Sequence, residues 1–179
     1  IIAAQWGVNQ PPNATHPDLH WEGRPGGLST IWVQMRWFFE NEEPCYAVRA
    51  MLVILPAGFE HMIERLDDLG ATSNFPLAQG NYLRTRAPGV LQIFLDETKP
   101  LTRGGYRLTF DVLVPEIVPP RNVWQLCMCA SRECDSPTHE SVLLTLAFWG
   151  FRHGQPRITA RARHGTEHGL LLVVAAFAV

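Results

Sequence analysis

The stretch GGYRLTFDVLVP, residues 104–115, alternates between apolar and polar side chains and is the clearest pattern in the chain. Because successive side chains of a β-strand point to opposite faces, this period of two predicts a strand with one face in a core. Residues 28–39 alternate in the same way. The side chains expected to face the core are Tyr106, Leu108, Phe110, Val112 and Val114 in the first segment, and Ile31, Val33, Met35, Trp37 and Phe39 in the second.

Further apolar segments are separated by turns rich in proline and glycine. Only residues 61–69 have helical spacing, which predicts one short helix in a long connection. About eight short strands with so little helix predict an antiparallel β-sandwich of the Ig-like or jelly-roll-like kind. The continuous apolar run at 141–151 predicts a central strand. The other segments are 46–55, in which Val48, Ala50, Leu52 and Ile54 are expected to face inward, 90–95, 122–129, 156–163 and 169–179.

The length of 179 residues fits one globular domain. Residues 1–27 are dense in proline, glycine and asparagine, which predicts a loop or linker that continues from a preceding segment. The sandwich domain is then expected over residues 28–168. Residues 169–179 are expected to form a final strand or the start of a next domain. This run is too short to span a bilayer, which needs ~20 apolar residues, so a membrane is expected as a partner only if the run continues.

The charge and the motifs exclude several classes of function. Fifteen Lys and Arg residues against seventeen Asp and Glu residues leave a net charge of −2, so nucleic acid is not expected as a partner. No P-loop, dinucleotide fingerprint or nucleophile elbow occurs, so we expect neither a cofactor nor catalytic residues, and no enzyme. His16 and His20, and His164 and His168, have metal-ligand spacing. Pro17 and Gly165 interrupt any helix there, so no metal site is expected.

The stretch CMCASREC contains Cys127, Cys129 and Cys134, and the remaining cysteine is Cys45. Zinc sites usually need cysteine pairs at short gaps that recur, and this pattern is absent, although a site completed by His139 remains an alternative. The even number of cysteines favours disulfides. Four buried thiols in a reducing compartment are the other alternative.

Two disulfide connectivities remain open. Cys127 and Cys129 are expected on one face of a strand, ~7 Å apart, which is at the limit of a disulfide bond. Cys129 therefore pairs with Cys134 while Cys45 takes Cys127, or Cys127 pairs with Cys134 while Cys45 takes Cys129. We favour the first connectivity, because the short ASRE turn suits a local bridge.

Two features predict contacts at the surface. Trp32 and Phe38 fall on the strand face opposite the core, where aromatic rings can stack on sugars or pack against a neighbouring subunit. The alternative is that the opposite sheet and the long connection cover both faces. Asn13, followed by Ala14 and Thr15, is a candidate for N-glycosylation.

Two longer phrases occur in order, LVILPAGFE at 52–60 and KPLTRGGYRLTFDVLVPEIVPPRNVWQL at 99–126. Over roughly residues 28–151 the chain resembles the PAGF-type β-sandwich repeat domains of very large secreted or surface proteins of dinoflagellates and related protists. It departs from that pattern where VPEI stands in place of an Asn-Pro turn, and where the helical insert follows Phe59.

The resemblance implies a non-enzymatic structural module of a large extracellular filament, coat or cell-surface assembly. Such a module packs against neighbouring domains of the same chain or against other copies. Secretion would also favour the disulfides. The alternatives are a carbohydrate-binding or adhesion module of a surface protein, with glycans as partners, and a membrane-anchored accessory subunit of a larger complex.

Overall fold

The computed structural model describes residues 11–23, 28–63, 76–80 and 82–150. These residues contain nine β-strands and form two antiparallel sheets. In chain order the strands are β1 (Asp18–Glu22), β2 (Thr30–Phe39), β3 (Ala50–Ile54), β4 (Glu60–His61), β5 (Leu83–Ala87), β6 (Val90–Phe94), β7 (Gly104–Leu113), β8 (Val123–Cys129) and β9 (Val142–Trp149). One sheet has the order β1-β2-β7-β4, and the other has the order β5-β6-β3-β8-β9.

The two sheets pack face to face as an antiparallel β-sandwich, which confirms the predicted fold class. β2 and β7 pair along their whole length, from Thr30 opposite Leu113 to Phe39 opposite Gly104. Their inward residues are those that the alternation predicts, and every one of them is 4% exposed or less. The period of two therefore fixes which face of the four-stranded sheet enters the core.

The PAGF phrase forms a tight turn that returns the chain to the core. The backbone N–H of Phe59 donates to the carbonyl oxygen of Pro56 at 3.1 Å, and Gly58 between them has a φ of +84°. A Cβ at Gly58 would lie 3.1 Å from the Pro115 side chain, so the turn needs glycine for its conformation and for its space. The Phe59 ring meets Trp124 edge to face, with the ring centres 5.9 Å apart. Phe59 belongs to the LVILPAGFE phrase and Trp124 to the second phrase, so the two phrases meet in the core. The contact lies where the chain passes from β3 in one sheet to β4 in the other.

Two buried aromatic residues have their polar atoms satisfied locally. Trp124 Nε1 donates to Oδ1 of Asn122 at 2.9 Å, and the N–H of Gly150 donates to the Asn122 carbonyl at 2.9 Å. A Cβ at Gly150 would lie only 2.3 Å from Trp124 Nε1, so no larger residue fits there without a shift. The Tyr106 hydroxyl donates to the carbonyl of Thr102 at 2.9 Å and accepts from its N–H at 3.0 Å. Each ring is therefore buried without an unsatisfied polar group.

Part of the outer face of the five-stranded sheet is covered by the chain itself, while Trp149 at the end of β9 is exposed on that face. A disulfide between Cys129 and Cys134 closes the loop that follows β8. Gln92 on β6 is fully buried and donates to the carbonyl oxygens of Arg132 and Cys134 at 2.8 and 2.6 Å, which holds this loop on the sheet. Beneath the loop lies a second apolar cluster, made of Ala50, Leu52, Cys127, Cys129 and Cys134.

This second cluster explains why the predicted orientation of β3 is wrong. Ala50, Leu52 and Ile54 were expected to face the core between the sheets, but they face the covering loop instead. A strand that is buried on both faces has no polar side to mark its orientation. The residues of this segment that do enter the main core are Val48, Met51, Val53 and Leu55.

Two other expectations are corrected, and one strand is found that the sequence does not predict. The region 1–27 was predicted as loop, but Asp18–Glu22 forms β1 and pairs with β2, so the sandwich includes residues before 28. Residues 83–87 form β5, although their mostly polar and exposed side chains give no strand pattern in the sequence. The run at 141–151 was predicted as a central strand. Among the described strands, β9 pairs with β8 only and lies at the end of its sheet.

Several predicted elements lie partly or wholly outside the described residues. His61, the first residue of the predicted helix, belongs to β4, and the helix from Glu64 onward is outside the described ranges. The predicted strands at 156–163 and 169–179 are outside them too. Within the described ranges, no helix has the length and apolar character needed to cross a membrane.

The disulfide gives a direct chemical prediction. Unreduced protein, denatured and alkylated, should take up label at Cys45 and Cys127 only, and mass spectrometry should find four labelled cysteines after reduction. Cys129→Ser with Cys134→Ser should lower the free energy of unfolding by about 2 kcal/mol, because a short closed loop restricts the unfolded chain modestly. Four alkylatable thiols in the unreduced protein would contradict the assignment.

Candidate functional site

The outward side chains of β1, β2 and β7 form one surface on the four-stranded sheet, which we call the open face. The pairing of the three strands aligns these side chains in rows that cross the sheet. Phe38 on this face is 41% exposed, and Trp32 is half-buried. The open face consists of Asp18, His20 and Glu22 from β1, Trp32, Gln34, Arg36 and Phe38 from β2, and Gly105, Arg107, Thr109 and Asp111 from β7.

The charges of the open face are separated along the strands. At one end, Glu22 and Asp111 pair on either side of Trp32 and place two exposed carboxylates beside its ring. Four residues further along β2, Arg36 pairs with Arg107, which places two exposed guanidinium groups side by side. A strand rises ~3.3 Å per residue, so the two rows are about 13 Å apart. We call them the carboxylate end and the arginine end.

Polar contacts order the middle of the open face. His20 Nε2 lies 2.7 Å from Oδ2 of Asp18, which stands opposite Arg36. The Gln34 side chain is buried although it faces outward, because its Oε1 accepts from the Arg36 Nε and its Nε2 donates to the Thr109 hydroxyl at 3.4 Å. These contacts hold the Arg36 side chain in one position on the surface.

A shallow groove of about 430 Å³ lies at the arginine end. Phe38 pairs with Gly105, whose missing side chain leaves open space beside the aromatic ring, and no atom lies within 4 Å of where its Cβ would be. Arg36 and Arg107 border this groove together with His16. The groove therefore combines an exposed aromatic ring with positive charge.

The glycosylation candidate lies next to the groove. Asn13 is exposed and its side-chain amide donates to Oε2 of Glu40 at 3.0 Å. Thr15 in the same tripeptide lies beside the end of β2, where its hydroxyl accepts from the N–H of Phe38 at 3.0 Å. The side chain of Asn13 is thus accessible, and a glycan attached to it would stand beside the open face.

The other cysteine pairing expected from the sequence is not formed. Cys45 and Cys127 are both buried thiols, although the favoured connectivity joined them. Cys45 lies in the main core, and its backbone pairs with that of Leu101 in an isolated β-bridge. Cys127 belongs to the cluster on the opposite side of the five-stranded sheet. The sheet separates the two sulfurs. Burial raises the pKa of the Cys127 thiol, and a hydrogen bond from the Thr145 hydroxyl at 3.6 Å offsets this only in part.

His61 on β4 is buried at the junction of the two sheets. Its side chain is 8% exposed, and neither ring nitrogen has a partner within hydrogen-bond geometry. Its backbone N–H donates to the carbonyl of Pro88 at 2.9 Å, which ties β4 to the turn between β5 and β6. Burial lowers the pKa of His61, while the backbone of Val90 and Ala87 and the charge of Glu60 act weakly in the opposite direction.

No described set of three or more histidine, cysteine or acidic side chains is arranged to hold a metal ion.

The sequence predicts Trp32 and Phe38 on the open face but does not predict its two charged ends. Arg36, Arg107 and Asp111 were visible as outward residues of alternating strands. Their grouping needed the pairing of β2 with β7, which the sequence does not state.

Comparisons with known proteins give only a fold-level likeness. No protein-family model and no curated protein matches the chain. Structures similar to it include the sixth cohesin of scaffoldin B from Acetivibrio cellulolyticus, solved with a Cel5 dockerin, at 16% identity over 64% of this chain and 82% of that chain, with a TM-score of 0.35. Another is a CaDoc0917–CaCohA2 complex, at 16% identity over 69% and 79% of the two chains, with a TM-score of 0.32. A likeness this low carries no argument about partners or activity.

The buried His61 predicts a stability that falls in acid. Its pKa is lowered in the folded state, so the unfolded chain takes up a proton at a higher pH than the folded chain does. The free energy of unfolding should therefore fall as pH drops below about 6.5, the ordinary pKa of histidine, and level off below the folded pKa. Denaturant unfolding at a series of pH values would measure this slope.

Two variants make the measurement specific. His61→Leu should remove this part of the pH dependence, because no proton can bind at the site. His16→Gln replaces an exposed histidine and should leave the slope unchanged. A full acid slope in the His61→Leu variant would show that other groups cause it.

Proposed function

We propose that the chain is a non-enzymatic structural β-sandwich module of a large extracellular filament, coat or cell-surface assembly. In this proposal it packs against neighbouring domains of the same chain or against other copies, and the open face is the contact surface. It needs no cofactor, and its role is to be a rigid unit of an array. The PAGF-type repeat domains of large protist surface proteins are the family that we propose for it.

One observation carries the proposal, which is the difference between the outer faces of the two sheets. The disulfide-closed loop, which Gln92 holds in place, covers the outer face of the five-stranded sheet around Leu52 and Cys127, and leaves Trp149 at the end of the sheet exposed. The open face of the four-stranded sheet keeps Phe38 exposed in the folded chain. An exposed aromatic ring bordered by arginines is typical of a protein interface, where both residue types are enriched.

The two phrases at 52–60 and 99–126 that resemble the PAGF-type repeats have structural roles, which supports a structural module. Phe59 and Trp124 are core residues, and Pro56 and Gly58 shape a turn. None of them presents a reactive group to solvent, so the pattern preserves a shape. The Cys129–Cys134 disulfide supports an oxidising, extracellular environment, since such bonds persist there. Asn13 remains our candidate glycosylation site in that environment.

The proposal is tested in the parent protein. Phe38→Ser should leave the thermal stability of the isolated domain nearly unchanged, because exposed residues contribute little to folding. In the full parent protein it should weaken the assembly, which would then dissociate at lower salt or denaturant than the wild type. Light scattering of the extracted assembly would measure that dissociation.

Tyr46→Ser is the matched control for this test. Tyr46 is 46% exposed, close to the 41% of Phe38, and it lies in the segment before β3, away from the open face. It should have no effect on dissociation. Equal effects of both variants, or a parent gene that contains no further PAGF copies, would contradict the proposal.

A carbohydrate-binding or adhesion module is the second candidate, and the groove beside Phe38 favours it. An exposed aromatic ring next to a glycine offers a flat apolar surface for the face of a sugar ring. This candidate predicts that a glycan array probed with the isolated domain shows binding, and that Phe38→Ser abolishes it while Tyr46→Ser does not. An array with no bound glycan would remove it.

A further inference from the structure

We infer that the partner of the open face is a second copy of this chain, bound face to face with its strands antiparallel to those of the first. The inference rests on the proposed function, because it names the partner of the surface proposed there. What carries it is the separation of charge on that surface, which makes the face complementary to itself after a rotation of half a turn.

The two ends of the open face have opposite net charges. Glu22 and Asp111 at the carboxylate end are exposed, and within the described part of the chain neither forms an ion pair. Arg107 at the arginine end likewise forms none there, and Arg36 donates only to the neutral Gln34. Two guanidinium groups side by side repel each other unless carboxylates approach them.

One carboxylate lies close to the arginine end, and it does not cancel the charge there. Asp18 stands opposite Arg36 on β1 and is also in contact with His20 at 2.7 Å. Two guanidinium groups against one carboxylate leave the arginine end positive. The carboxylate end carries no described cationic side chain in its row, so it stays negative.

A two-fold axis that lies across the strands, near the middle of the open face, brings opposite ends together. Such an axis inverts positions along the strands and keeps positions across them. Because β7 then lies over β7 of the partner, Asp111 of each copy faces Arg107 of the other, and this contact forms twice, as in every isologous interface. On β1, Glu22 faces Asp18, so the favourable charged contacts are the two between the β7 strands. The same axis places Trp32 of each copy opposite Arg36 of the other, two residues or about 7 Å along the strand from the partner's Phe38.

The size of the face predicts weak association. β2 and β7 are ~33 Å long, β1 is half as long, and the strands are ~4.8 Å apart, so they present roughly 400 Å² per copy, or about 800 Å² for the pair. That area is typical of weak, transient interfaces. The dimer should therefore form at high protein concentration, or where many copies are held together, since tethering raises the effective concentration.

Sedimentation equilibrium of the full 179-residue chain tests the inference. Protein from the bacterial periplasm forms its disulfide and has no glycan at Asn13, which removes one source of interference. From micromolar to millimolar concentration the wild type should show a reversible monomer–dimer equilibrium. Added salt should weaken it by about tenfold or more, because the contacts are ionic and solvent-exposed at their rim. This salt dependence needs no variant, so it stands even if a variant misfolds.

Charge reversal at each end tests the geometry. Arg36→Glu with Arg107→Glu should be monomeric, and so should Asp111→Lys, since each variant brings like charges together on β7. Mixing the two reversed variants should restore both charged contacts, because positions 107 and 111 of one variant then face opposite charges on the other. The mixture should therefore associate at least tenfold more tightly than either variant alone. Circular dichroism melting curves would show that each variant is folded.

A matched reversal away from the open face is the control. Arg84 on β5 and Arg121 before β8 are exposed and do not belong to the open face, so Arg84→Glu with Arg121→Glu should dimerise like the wild type. An equal loss in this control would show that net charge alone drives association and would overturn the inference. Failure of the mixed reversed variants to associate would overturn the antiparallel arrangement.

A wild-type chain that stays monomeric at every concentration overturns the inference but not the proposed function. In that case, if Phe38→Ser still weakens the parent assembly, the open face binds a different domain. If the chain dimerises and Phe38→Ser leaves the parent assembly unchanged, self-association stands and the role in the assembly fails.

Discussion

Ten consecutive residue pairs join β2 to β7, and the rest of the structure depends on their register. The pairing puts the five inward side chains of β2 and the four of β7 into the core and, by the same alternation, puts Trp32 beside Asp111 and Arg36 beside Arg107 on the outside. A slip of one residue would bury the charged side chains and expose the aromatic core. The free-energy cost of burying unpaired charge therefore opposes a slip in register, which keeps the apolar side chains inside and the charged side chains in their rows outside.

The outer faces of the two sheets differ in how much the chain covers them. The five-stranded sheet has apolar side chains on both faces, and the loop that the disulfide closes covers the part of its outer face around Leu52 and Cys127. Gln92 makes this cover possible, because its amide satisfies carbonyl groups that the loop would otherwise bury without partners. The four-stranded sheet has a polar outer face that water can solvate. The open face is therefore available for contacts with a partner.

The candidate site was partly predictable from the sequence. Trp32 and Phe38 were expected on the outer face, because strand alternation alone places them opposite the core. Glu22 was missed, because β1 is only five residues long and lies in a segment rich in proline and glycine. The Cys129–Cys134 bridge follows from a short turn, whereas the expected Cys45–Cys127 bridge fails because the two thiols lie on opposite sides of one sheet.

The sequence by itself determined the class of fold and the inward faces of β2 and β7, since a period of two is a local property of one strand against one core. The turn at Gly58 depends on both, because its positive φ is a local property, whereas the tertiary structure brings Pro115 close enough to exclude a larger residue. The tertiary structure alone decided the orientation of β3 and the charged ends of the open face. Both depend on which strands lie side by side, and residues far apart in the chain, such as Glu22 and Asp111, acquire a common role only when pairing sets them in one row.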